Sequence, residues 1–258
     1  MARYQLTLAY DGARYEGFQR QRRNNPEGCT VQDAFEACLR QLGWQDRTIL
    51  TAGRTDSGVH AAGQVVAFDL DWAHTPGELR AALNASLPND IAVQAVQLAP
   101  PGFHPRYDAL ARRYRYRIYC QAVRHPLRDR YAWRVWPAVT LQNLNASAAP
   151  LPGWHDFAAF GRPPRGVGST TRQVLQAVWQ VEGEDMVFEI IANAFLYHMV
   201  RRLVYAQVRI AQQRLPADAI QSRLAGVITD MVQGLAPPHG LVLAEVIYKQ
   251  PLEQAPGA

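Results

Sequence analysis

An α+β fold is predicted, with two ferredoxin-like (RRM-like) halves and a mostly antiparallel central sheet. Three observations predict it. Strand and helix patterns run β-α-β-β-α-β through the first half. The second half loosely repeats that order with insertions. A proline-bearing join near Pro100 to Arg106 separates the two, dividing the chain into residues 1–103 and 104–258.

Tyr4, Leu6, Leu8 and Tyr10 alternate with smaller or polar residues, the period of a half-buried strand over Arg3 to Tyr10, and Asp11-Gly12 turns the chain. From Thr30, the residues Val31, Ala34, Phe35, Cys38, Leu39 and Leu42 fall on one helical stripe, with Thr30 and Asp33 as a capping start and Gly43 as the stop. Strand patterns follow at Thr48 to Ala52 and Gln64 to Leu70. Thr75-Pro76-Gly77-Glu78 then supplies the N-cap, N1 proline and N3 acid of a helix that ends before Pro88, and Ile91 to Leu98 reads as a strand.

In the second half, strands are expected at Arg112 to Cys120 and Tyr131 to Trp136, and a short helix near Leu141 to Ala149. Two long strands, Thr171 to Val181 and Met186 to Ala192, flank a Glu182-Gly183-Glu184-Asp185 turn. A helix from about Phe195 to Gln213, a capped helix after Pro216 and a final strand at Leu241 to Tyr248 complete the order. The proline- and glycine-rich stretch Phe160 to Arg172 reads as a mobile loop.

The chain has 258 residues, 48% of them hydrophobic, and 27 basic against 22 acidic side chains leave a net charge of +5. No apolar run approaches the roughly 18 residues of a membrane span. A soluble, cytoplasmic protein without membrane contact is the expectation. Three cysteines, with no Cys-x-x-Cys and no histidine at zinc-finger spacing, argue for reduced packing residues. All the basic residues except Lys249 are arginines, so a phosphate loop ending in Gly-Lys is absent, as is a Gly-x-Gly-x-x-Gly fingerprint. Arginine dominance fits phosphate and base recognition, and equally fits high-GC codon usage.

Between two predicted strands, Gly53-Arg54-Thr55-Asp56-Ser57-Gly58-Val59-His60-Ala61 gathers a carboxylate and two cation-capable groups among glycines. Asp-Ser-Gly is common turn chemistry, so the loop reads either as a turn or as a mounted catalytic carboxylate with Arg54 beside it to orient it or bind a phosphate. On the strand after the join, Arg113, Arg115 and Arg117 alternate with Tyr114, Tyr116 and Ile118. That pattern fits a packed strand with a solvated basic face, or an aromatic positioned for stacking on a base. On the Phe195 helix, Leu196, Met199, Val200, Leu203, Val204 and Ala211 share one arc and His198, Arg202, Tyr205 and Arg209 the opposite one. Arg201 sits at the boundary, where a guanidinium becomes partly buried and needs a carboxylate, whereas Arg202 is expected to be wet.

The loop at Gly53 to Ala61 resembles the catalytic signature of the tRNA pseudouridine synthase A family. Further blocks resemble that family in order: Tyr10-Asp11-Gly12, Gly17-Phe18-Gln19, Thr30-Val31-Gln32, Gly63-Gln64-Val65, Leu83-Asn84 with Leu87-Pro88, Phe103-His104-Pro105-Arg106, Arg113-Tyr114-Arg115-Tyr116, His155-Asp156-Phe157, His198-Met199-Val200-Arg201-Arg202 and Ala236-Pro237-Pro238-His239-Gly240-Leu241. The resemblance implies the pseudouridine synthase fold and an isomerase that converts uridine to pseudouridine at positions 38, 39 and 40 of the tRNA anticodon stem-loop. It further implies a homodimer with no cofactor and no metal. Carried over by residue, Asp56 is the nucleophile, attacking either the ribose or the uracil ring, and Arg201 is the cation facing it. Tyr114 lies against the flipped base, and Arg54, His60, His198 and Leu241 are substrate-binding. Tyr205 departs from the family, which commonly has a small residue there. A non-catalytic RNA-binding module or tRNA chaperone on the same fold is the alternative, and it would not need Asp56 opposite Arg201. A zinc nucleobase deaminase is disfavoured by the missing His-x-Glu and Pro-Cys-x-x-Cys motifs.

Overall fold

The computed structural model describes residues 1–21, 29–163 and 168–249. Its first half contains β1 (Ala2–Tyr10), α1 (Val31–Gln41), β2 (Leu50–Thr51), β3 (His60–Leu70), α2 (Pro76–Ser86) and β4 (Ile91–Leu98). The second contains β5 (Ala109–Tyr119), β6 (Trp133–Arg134), α3 (Leu141–Ala148), β7 (Gly153–Asp156), β8 (Thr171–Glu182), β9 (Asp185–Ala192), α4 (Met199–Ala211), α5 (Ala219–Leu224) and β10 (Leu241–Tyr248).

Among the described residues ten strands join one sheet, whose main path is β4-β1-β3-β10-β5-β9-β8-β7, with β2 beside β3 and β6 beside β5. Among the described residues only β3–β10 and β5–β6 pair in parallel. In the first half the order is β4-β1-β3-β2, and in the second β10-β5-β9-β8, which is the same split β-α-β arrangement twice. The α+β, mostly antiparallel architecture expected from the sequence is therefore observed.

The alternation in β1 buries Tyr4, Leu6, Leu8 and Tyr10 in one apolar cluster with Val31, Phe35 and Leu39 of α1 and Leu79 and Leu83 of α2. Both helix starts are capped as their sequences suggest. Thr30 Oγ1 accepts from the Asp33 N–H, and Thr75 and Glu78 form a reciprocal capping box.

Several elements differ from expectation. The strand expected at Thr48 to Ala52 shrinks to Leu50–Thr51, because Thr48 and the Ile49 N–H both donate to the buried Glu36 carboxylate instead of to a neighbouring strand. The Tyr131 to Trp136 strand shrinks to Trp133–Arg134, since the Tyr131 N–H closes a turn onto Arg128. The helix expected from Phe195 starts at Met199. Asn193 Oδ1 takes the Gln173 and Ala194 N–H groups, and the Tyr197 N–H donates to the Arg162 carbonyl, so this stretch is committed elsewhere before a helix can form. Asp218 precedes α5 without capping it, its carboxylate accepting the Ser222 hydroxyl. The edge strand β7 carries no sequence pattern of its own. Of the Phe160 to Arg172 loop, residues 164–167 lie outside the described residues.

The arginines of β5 are not a solvated basic face. Arg113 pairs with Glu245 (3.5 Å), Arg115 with Glu182 and Glu189, and Arg117 with Glu182 (3.0 Å) and Asp185 (2.9 Å), so carboxylates from β8, β9 and β10 neutralise this face. Tyr114, Tyr116 and Ile118 are buried on the other face. All three cysteines are free thiols. Among the described residues no helix is long and apolar enough to cross a membrane.

Candidate active site

The paired strands β3 and β10 are parallel, so the segments leading into them meet at one end of the sheet. Into β3 leads the loop that carries Asp56, and into β10 leads the segment Ala236 to Gly240. The two pack closely. Gly58 has φ +76°, and a Cβ there would lie 2.9 Å from Pro238 Cγ, so both its backbone conformation and its neighbour require glycine. On the other side, Tyr10 Oη and Thr55 Oγ1 share a hydrogen bond of 2.8 Å, and the Phe18 N–H donates to the Thr55 carbonyl. The loop is clasped from both sides, which fixes Asp56 at its centre.

Asp56 opens onto a cavity of about 870 Å³. Tyr114, Leu241 and Leu243 line it from the sheet, and the stretch Ala194 to Arg201 forms an opposing wall. Arg201 Nη1 donates to Asp56 Oδ2 (3.1 Å), and Arg201 Nε donates to the Ala236 carbonyl (2.8 Å). The Ala236 N–H returns a bond to the Arg201 carbonyl. Arg201 is only 9% exposed, and the Asp56 side chain 17%. A buried guanidinium thus meets a mostly buried carboxylate, and the backbone of the β10 lead-in holds the guanidinium in place.

His198 stands beside them in a left-handed conformation, φ 66° and ψ 3°, immediately before α4. Its side chain makes no cap hydrogen bond, so helix capping does not account for that conformation. An imidazole at positive φ costs about 1–2 kcal/mol. The ring stacks on Tyr197 (3.6 Å between centroids) and brings Nε2 to 3.5 Å from Asp56 Oδ2. Burial lowers the His198 pKa from 6.5; Asp56 opposes that shift, and Arg201 and Arg202 reinforce it. The imidazole is therefore neutral near pH 7. Tyr114 packs edge-on against Phe195 (4.9 Å, 78°), and burial, with the charge of Asp56, raises its pKa and keeps the phenol protonated.

Of the residues singled out in the sequence, Asp56, Arg54, Tyr114, His198, Arg201 and Leu241 all line this cavity. His60 does not. As the first residue of β3 it points to the far side of the loop, where Nδ1 accepts the Gly12 N–H (3.1 Å) and lies 3.0 Å from Asp11 Oδ1. A nitrogen that accepts from Gly12 cannot also donate to Asp11, and burial, which lowers this pKa, favours the neutral ring. Arg202 is half-buried and not wet, reaching towards the Phe160 carbonyl. Arg20, near the cavity, is paired with Asp33 and Glu36, and Arg22 and Arg23 lie outside the described residues. Tyr205 is accommodated because Gly234, at φ +114°, leaves its ring room and Arg209 covers that ring at 4.9 Å. Phe195, Tyr197 and the Ala236 carbonyl belong to the site as well. Ala236 stood in a recognised sequence block, but no spacing distinguished Phe195 or Tyr197 from ordinary core residues.

Residues 7–108 and 148–249 match the family described as "tRNA pseudouridine synthase". The chain belongs to this family. Among its relatives are proteins named tRNA pseudouridine synthase A from Moorella thermoacetica, 41% identical over 94% of this chain and 98% of its own length, and from Myxococcus xanthus, 37% identical over 100% and 96%. One from Limosilactobacillus fermentum is 34% identical over 97% and 98%. Membership makes this pseudouridine synthase an isomerase, and the two matched segments carry both members of the Asp56–Arg201 pair.

Proposed function

We propose that the chain isomerises uridine to pseudouridine in the anticodon stem-loop of tRNA, at positions 38, 39 and 40, with Asp56 as the nucleophile. The observation that carries this reading is a carboxylate mounted on a clasped loop at a cavity wall, held by one guanidinium and sharing that cavity with a buried tyrosine. Asp56 attacks the ribose C1′ or the uracil ring, and the C1′–N1 bond breaks. The freed base turns over, a C1′–C5 bond forms, the bond to Asp56 breaks and restores its carboxylate, the C5 proton leaves and N1 takes one up. Atoms balance within the substrate, so the reaction consumes no cofactor and no metal is invoked.

In this reading the target uridine leaves its stack, Tyr114 and Leu241 receive its base, and Arg54 and His198 contact the nucleotide around it. Arg201 balances the charge on Asp56 while the carboxylate is free. His60, off the cavity wall, supports the loop from behind. We further propose that the chain, built of the halves 1–103 and 104–258, acts as a homodimer with a second copy of itself in the cytoplasm.

Asp56→Asn tests the nucleophile. Asparagine keeps the size and one acceptor oxygen but cannot form the acyl bond, so the purified variant is expected to make no pseudouridine from an anticodon stem-loop RNA while binding it within a few-fold of wild type. Turnover by the variant near the wild-type rate removes Asp56 from the mechanism. A wild-type protein that binds the RNA and leaves its uridines unchanged favours the non-catalytic RNA-binding reading.

A further inference from the structure

Tyr107 is 75% exposed, a large aromatic facing solvent on the rim of the cavity that holds Asp56. Folding does not explain its position, yet the turn beneath it is built rigidly. Phe103 is buried against Tyr248 (5.4 Å between rings), and the Tyr248 hydroxyl donates to the Pro105 carbonyl (2.7 Å). Arg112 donates to the Arg106 carbonyl (2.8 Å), the Asp108 N–H to the His104 carbonyl (3.1 Å), and the His104 N–H to Asp108 Oδ2 (2.9 Å). The His104 ring packs against Tyr107 at 4.2 Å between centroids, and its Nδ1 accepts the Arg106 N–H (3.1 Å). Arg106 lies 5.9 Å from the Tyr107 ring centre, so a cation accompanies the open ring at the rim.

We infer that Tyr107 is a stacking platform for the nucleobase next to the target uridine, with Arg106 placed for the adjoining phosphate. Extruding one nucleotide from a stem-loop leaves its neighbour with an uncovered face, and an exposed ring held by its surroundings meets that face at little entropic cost. The cavity supports this, since about 870 Å³ lies near the top of the range for a small-ligand pocket and leaves room beyond the target base. Two cations and a buried tyrosine already surround the target position, whereas Tyr107 stands at the entrance. The inference rests on the reading of the site as an RNA-modifying one, and it adds which part of the RNA the rim holds.

The test uses the full chain and anticodon stem-loop RNAs carrying 2-aminopurine, or no base at all, immediately 5′ or 3′ of the target uridine. Tyr107→Ala is expected to weaken binding of the intact RNA by roughly 5- to 150-fold and to abolish the 2-aminopurine quenching at one neighbour. Tyr107→Phe should stay within about twofold, because the π-face and not the hydroxyl carries the contact. On RNA lacking that neighbouring base, wild type and Tyr107→Ala should bind alike. The inference is overturned if Tyr107→Ala binds intact RNA as wild type does, or weakens intact and abasic RNAs equally at both neighbours. Because Tyr107 is exposed, unchanged melting of the variants confirms folding, and pseudouridine formation by wild type on the intact RNA tests the underlying reading separately.

Discussion

Asp56 and Arg201 are 145 residues apart in sequence and 3.1 Å apart in the fold. The boundary position of Arg201 on its helix indicates a partly buried guanidinium seeking a carboxylate, and that much the 3.6-residue period can show. Which carboxylate it finds depends on how two loops converge, which no local pattern encodes. Arg201→Ala removes the partner of a carboxylate that is mostly buried and strands the Ala236 carbonyl as well. Because the cavity admits some water, the loss of stability is expected near the lower end for a broken buried pair, about 3 kcal/mol, together with a large fall in turnover. Denaturant melts and single-turnover assays measure the two separately. A variant as stable as wild type would mean that water solvates Asp56 fully. His198 was marked by its place in a motif, but its left-handed backbone is a tertiary feature, maintained by stacking on Tyr197 and by the bond from Tyr197 to Arg162.

The loop before β3 shows how an element can be legible in composition and hidden in shape. Glycine at positions 53, 58 and 63 suggests a turn, and only the packing against Pro238 shows why position 58 cannot carry a side chain. Gly58→Ala is expected to cost about 1–3 kcal/mol, since it places an L-residue at positive φ and pushes a methyl group into the proline ring. Displacing the loop should also lower kcat well below wild type while RNA affinity changes little, and thermal melts with steady-state kinetics would show both. Unaltered kcat would mean that Asp56 is positioned independently of Gly58. The capped helices α1 and α2 were readable to within about a residue, because Thr30, Thr75 and Glu78 signal locally. Strands β2 and β6 are shorter than their sequences suggest, because β-branched and aromatic residues there serve buried side-chain contacts and turns instead of strand pairing.

Across the whole molecule, burial of histidines sets a pH dependence. His60, His198 and His239 each have a pKa lowered from 6.5, chiefly by burial, against the opposing charges of Asp11, Asp56 and Asp129 respectively. Nearby arginines reinforce the shift at all three, Arg130 at His60, Arg201 and Arg202 at His198, and Arg201 at His239. The folded protein thus binds fewer protons than the unfolded chain below pH about 6.5, so this part of its stability is present above that value and is lost as pH falls through the folded pKa values. Asp11 does not enter that window. Burial disfavours its charge, but hydrogen bonds from Arg130, the Ala13 N–H and Tyr131 prevail and hold it at about 2, so its contribution fades only well below pH 4. Thermal melts from about pH 7.5 down to about pH 5 should therefore show a steady fall in Tm with proton uptake on unfolding. A flat profile would mean that these rings are hydrated enough to titrate normally.

Alternation and helical period were enough to establish the repeated β-α-β-β-α-β order, the faces of β1 and β5 and the buried stripe of α4, and the resemblance of short motifs to the family supplied the set of residues around Asp56. These features depend on side chains near one another in the chain, so their signals are local. Fusion of the two halves into one sheet through β3 and β10, neutralisation of the β5 arginines by β8, β9 and β10, the displacement of His60 from the cavity and the exposure of Tyr107 at its rim were decided only in three dimensions. Each depends on which distant groups compete for the same hydrogen bond, charge or contact, and that competition is settled when the chain closes.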